Sequence, residues 1–147
     1  LGRRNGRAPK GGAGGRDWEH VLVKRSMPDD QVEELAYQWI DAHRRGEEAR
    51  DDQVHESVVM LSFFYAPEVQ WKFLLSAVQN AGADEHGHIA AGPFEGLMGK
   101  HGDIYIDRVE AEAARDSGFK QMIGHAWQYL MSDAIWARVQ AAAGMAK

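Results

Sequence analysis

Asp84, Glu85, His86 and His88 fall within five residues of one another, and two imidazoles at an H-x-H spacing form a pair that metals use. His86 and His88 are therefore the candidate metal ligands. A third donor has to come from elsewhere: His101, His125 or a carboxylate. No H-E-x-x-H and no second H-x-H accompanies them. The plainer alternative is an acidic, glycine-broken loop with two exposed imidazoles. Glu95, two residues after Pro93, suits the first turn of a helix, where an acid offsets the helix dipole. It can equally face a groove beside Trp127 and Trp136. An enzyme or metal-binding protein built on His86, His88, Glu95 and His101 requires these side chains to converge on one concave site. His101 otherwise reads as a helix C-terminal residue, and His125 as a buried imidazole with a partner.

Nucleophiles are few. The chain has no Cys and no Thr, which removes thiol chemistry, disulfides and Cys-ligated metals. None of its six Ser sits in G-x-S-x-G, and the Walker and Rossmann glycine patterns are missing from the body. No catalytic or cofactor-binding residue is assigned, and no cofactor is expected. The aromatics are richer. Of the five Trp, Trp39, Trp127 and Trp136 fit core stripes, whereas Trp71 lies off its stripe between Gln70 and Lys72 and is expected at the surface. Trp71, Glu95, Trp127 and Trp136 are the candidates for binding another protein, because exposed aromatics are the usual anchors of such contacts.

The elements that must position these residues read as helices throughout. Apolar residues at Val32, Leu35, Ala36, Trp39 and Ile40 form an i, i+3, i+4, i+7, i+8 stripe, with Asp29 or Asp30 as a cap and Gly46 as the stop. Glu47 to Tyr65 ends in VVMLSFFY, which alone could be a buried strand. Its polar lead-in and the Ala66-Pro67 stop favour a central helix. Pro67 then opens a third helix with Val69, Phe73, Leu74, Ala77 and Val78 inward. Pro93 either starts a helix at Phe94 or kinks one running from about Glu85. His101-Gly102 reads as its end, and Asp103 as the cap of a helix with Ile106, Val109 and Ala113 inward. Asp116 or Ser117 caps another, with Phe119, Met122, Ile123, Ala126, Trp127 and Leu130 inward. Ser132 opens the last, with Ile135, Trp136 and Val139. The fold class is all-α: about seven short antiparallel helices, packed as a compact bundle or a degenerate stack of helix pairs.

With 147 residues, one domain is expected, over residues 26–147. Residues 1–25 form a basic, Gly-rich leader with seven basic and two acidic residues (+5), expected to be disordered. It is either a basic arm with weak affinity for nucleic acid or an acidic partner, or a solvated tail. The remaining residues carry ten basic against twenty acidic side chains, a net −10. No apolar run is long enough to cross a membrane.

Ile89 to Gln140 resembles an uncharacterised bacterial all-helical family of unknown function. The resemblance rests on Ala91-Gly92-Pro93 with Glu95, His101-Gly102, Ile106-Asp107-Arg108 with Glu110, then Phe119, Trp127, Met131, Trp136 and Arg138. Gln31 to His43 has the character of that family's opening helix. Gly96 stands where an acidic residue is usual, and Ser117 where a Pro is common. The resemblance implies a fold and no activity. The residues themselves point to a small acidic, cytoplasmic interaction module with a protein partner, immunity- or antitoxin-like against a basic toxin.

Overall fold

A computed structural model describes residues 25–46 and 52–145 of the chain. Helix α1 spans Asp29–Arg45, α2 Asp52–Phe64 and α3 Pro67–Asn80. A 3-10 turn, Ala83–Glu85, leads into the one-turn α4, His86–Ile89, which passes through a π-helical segment, Ala90–Phe94, into α5, Glu95–Arg115. Helices α6, Ser117–Ile123, and α7, Asp133–Ala142, complete the fold. No strand is present among the described residues; Arg25 makes an isolated bridge to Tyr65. The expected leader lies almost wholly outside the described residues, as do Trp18 and the start of the Glu47 helix.

Local chemistry accounts for most of the helix ends. Gly46 takes φ +89°, a left-handed conformation that stops α1 at little steric cost. Pro67 occupies the first turn of α3, where its missing N–H has no partner to lose. Asp116 caps α6 by accepting from the N–H groups of Gly118 (2.8 Å) and Phe119 (3.4 Å), and Ser132 caps α7 through Ile135 N–H (3.2 Å). Asp29 and Asp30 do not cap α1. Pro28 holds that position, and both acids sit in the first turn, where they still meet the positive end of the dipole.

Of the two readings of Pro93, the structure takes the second: Pro93 lies inside a helix that runs on from His86, and the π segment shifts the backbone pairing so that Glu95 N–H reaches Ala90 O, which accommodates a residue with no N–H of its own. One expected boundary moves, since His101-Gly102 is no terminus. The chain kinks at His101 (φ −130°, ψ 24°) and α5 continues, because Gly102 lies against α7; a Cβ there would stand 3.1 Å from Ile135 Cγ2.

The core follows the stripes. Val32, Ala36, Trp39 and Ile40 of α1 face Phe73, Leu74 and Ala77 of α3, and Ile106, Val109 and Ala113 of α5 are buried as expected. α3 is covered on a second side as well, where Trp71 packs against Tyr105 of α5 (5.7 Å between ring centroids) and Phe119 of α6 (5.8 Å). α2 is helical but peripheral, not central. Val58 and Leu61 are buried, whereas Val59 and Phe63 remain 40% and 54% exposed. Lys72–Asp29 joins α3 to α1, Arg108–Glu68 joins α5 to α3, and Arg138 joins α7 to Asp107 and Glu110 of α5.

Candidate functional site

His86 and His88 diverge. Residues two apart on a helix point about 200° from each other, so an H-x-H pair that would converge on a strand separates on α4. His86 is buried with its ring 6.2 Å from that of His125. His88 turns the other way, stacked between Trp39 (4.0 Å) and His43 (4.1 Å). Glu85, at the i, i+3 spacing from His88, is engaged elsewhere: it accepts from Gly82 N–H at 2.6 Å and Arg44 Nη2 at 3.0 Å. Among the described residues no group of three His, Cys, Asp or Glu could hold a metal ion. Glu95 is buried and accepts Trp127 N–H, away from His88, so the convergence that an enzyme using His86, His88 and Glu95 needs is not formed.

The Trp39–His88–His43 stack runs from the core to the surface, and its Trp39 and His88 form one wall of a half-open cleft of about 480 Å³. α2 supplies the facing wall with Val58, Val59 and Leu61, Gln70 and Phe73 of α3 lie at the base, and Gly92, Pro93 and Gly96 close one side. Burial, reinforced by the neighbouring His43 and His55, depresses the His88 pKa from 6.5 to about 4. The unfolded chain therefore takes up a proton that folded His88 refuses, and stability falls as pH drops from 6.5 toward 4. His86, depressed chiefly by burial, acts in the same sense, whereas burial raises the Glu95 pKa and makes it act in the opposite one. The variant His88→Phe is expected to remove about 1–2 kcal/mol of the loss between pH 7 and pH 4.5, a value discounted because solvent reaches part of the ring. Urea denaturation of both proteins at the two pH values measures it; parallel profiles would show that His88 is not the group concerned.

A second feature adjoins the cleft. Helix α6 stops at Ile123, so His125 and Ala126 N–H groups turn back to Met122 O (3.0 Å) and Ile123 O (3.1 Å). Trp127 and Leu130, expected inward on a longer helix, are instead 77% and 62% exposed, and Tyr129 (φ +51°) is 63% exposed. His125, expected to be buried, is exposed too. The loop is nevertheless held firmly. Buried Glu95 accepts Trp127 N–H at 2.8 Å, Gln128 Nε2 donates to Met131 O (3.0 Å) and Asp133 Oδ1 (2.8 Å), and Met131 is buried beneath. The loop lies so close to α5 that a Cβ on Gly99 would stand 2.9 Å from Leu130 Cβ. Across α5, Lys100 Nζ donates to Ser62 O (2.8 Å) and sits 4.9 Å from the Phe63 ring centroid. Phe63 beside Lys100, and Tyr129 and Leu130 beside Gly99, thus flank one turn of α5 as exposed apolar side chains, with Trp127 exposed on the same loop and Tyr129 also lining the cleft; together the four are called the ridge.

The structure sorts the protein-binding candidates. Trp71 is 6% exposed, hence core. Its polar neighbours suggest a surface only if α3 buries one face, and α3 buries two. Glu95, at 7%, positions Trp127 and is itself inaccessible. Trp136 is half-buried against the core, and Trp127 alone of the four stands free. Phe63 and Tyr129 were not indicated by the residue pattern; the exposure of Phe63 follows from the peripheral position of α2, which no local signal encodes.

A protein-family model described as a family of unknown function, DUF6869, matches residues 42–146. The chain belongs to that family. The match covers α2 to α7, including the ridge and the Glu95 tie, and begins after most of α1, so Trp39 precedes the part of the fold that defines DUF6869. Neither a curated protein nor a solved structure matches the chain. No described helix is long and apolar enough to cross a membrane.

Proposed function

We propose that this protein is an interaction module that engages a protein partner through the ridge formed by Phe63, Trp127, Tyr129 and Leu130. The observation that carries the reading is an ordered loop displaying large apolar side chains to solvent. Exposed aromatics clustered on one face are the usual anchors of protein contacts, and fixing the backbone beforehand lowers the entropy lost on association. Glu95 supports the site from below without touching the partner. The net −10 of residues 26–147 favours a basic partner and fast, salt-sensitive encounter. An immunity- or antitoxin-like role against a basic toxin, in the bacterial cytoplasm, is the specific form of this reading.

Affinity capture from the source organism, followed by titration with the purified partner, tests it. Trp127→Ala combined with Tyr129→Ala is expected to weaken binding at least ~10-fold while leaving the unfolding midpoint within the small range of surface substitutions. Raising the salt should slow association without changing the ridge dependence. A partner whose affinity ignores both substitutions would place the interface elsewhere.

A further inference from the structure

The cleft beside the ridge carries chemistry of its own. No Lys, Arg, Asp or Glu is among the described residues that line it. His88 is held neutral within the stack, and its ring nitrogens take no hydrogen bond among the described residues. Gln70, 6% exposed, donates through Nε2 to Tyr65 O (3.2 Å), while its Oε1 receives no donor from the described residues. Gln70 lines the cleft, and a buried amide oxygen without a donor calls for one, so a ligand that displaces water from it must replace that bond. A charged ligand would be left unpaired against walls of Trp39, Phe73, Val58 and Pro93. The volume of about 480 Å³ falls within the range of small-molecule sites.

We infer that this cleft binds a small, free, uncharged aromatic molecule carrying one hydrogen-bond donor, of the phenol or indole type, with the donor on Gln70 Oε1 and the ring on the Trp39–His88 wall. The site does not depend on the ridge having a partner.

Titration of the full chain with 2-naphthol, indole, 2-naphthoate and naphthalene, followed by calorimetry and by the ring-proton resonances of His88, tests the assignment. The two neutral donors are expected to bind with Kd on the order of 100 µM, at least ten-fold tighter than 2-naphthoate, and to shift the His88 signals. Gly92 lines the cleft and a Cβ there meets nothing within 4 Å, so Gly92→Leu adds bulk at the cleft rim without a clash. It should weaken 2-naphthol at least ten-fold with an unchanged unfolding midpoint. Gly96→Leu, equally unobstructed, serves if the first variant folds poorly. Gln70→Met should abolish the preference for 2-naphthol over naphthalene. Equal or tighter binding of 2-naphthoate, no binding of 2-naphthol at millimolar concentration, or insensitivity to the glycine substitutions would overturn the inference. N-acetyl-tryptophanamide binding ten-fold tighter than indole would overturn it too, by assigning the cleft to a partner's side chain.

Discussion

Trp71→Ala is expected to destabilise the protein by about 3–5 kcal/mol, read as a lower denaturant midpoint at an unchanged slope. The indole lies between Tyr105 and Phe119, joining α3 to α5 and α6, and only 6% of the residue meets solvent. Truncation loses the transfer free energy of the ring and opens a cavity that three helices, tied further by Arg108–Glu68, cannot close. Tyr105 contributes to that rigidity by donating to Glu68 Oε1 at 2.8 Å. Trp127→Ala provides the contrast. Its side chain is 77% exposed, so the same substitution should change stability by less than about 0.5 kcal/mol. Equal losses at the two positions would show that the burial assigned to Trp71 is wrong.

Glu85→Ala is expected to cost about 2 kcal/mol at pH 7. One carboxylate oxygen takes Gly82 N–H and Arg44 Nη2, and Arg44 Nη2 also donates to Asn80 O at 2.7 Å. A single buried acid therefore joins the end of α1, the end of α3 and the turn into α4. Hydrogen bonding from Arg44, then from Gly82, holds the Glu85 pKa below its ordinary 4.5. The folded protein thus resists protonation that the unfolded chain accepts, and this contribution is present above pH 4.5 and disappears as pH falls through the folded value. The difference between wild type and Glu85→Ala should accordingly narrow from pH 7 to pH 3. Glu85→Gln, which keeps an acceptor for Gly82 but loses the charge, should lie between the two. A gap that stays constant across this range would mean that the loss reflects packing and not the charged hydrogen bonds.

Helical class, the ends at Gly46, Pro67, Asp116 and Ser132, and the inward stripes of α1, α3 and the second half of α5 are legible from residue types alone. Each depends on contacts within a turn or two: a left-handed glycine, a proline with no N–H to lose, a side-chain oxygen reaching an N–H three residues on. The candidate site was far less legible. Trp71 and Trp127 exchange the places that periodicity assigns them. In one case a helix is covered on two sides, and in the other a helix stops at Ile123, seven residues before its apolar pattern ends at Leu130.

What the sequence determined by itself was therefore local: which segments are helical, where most of them stop, and an acidic body behind a basic leader. The tertiary structure alone decided which side chains share a space. It parted His86 from His88, because a helix turns neighbours two apart to opposite sides. It sent Glu95 inward to hold the Trp127 loop, and brought Phe63 and Tyr129 to neighbouring residues of α5, Lys100 and Gly99. Helix formation is settled by contacts between near neighbours, whereas a site is made by side chains that meet from distant segments only once the core has packed.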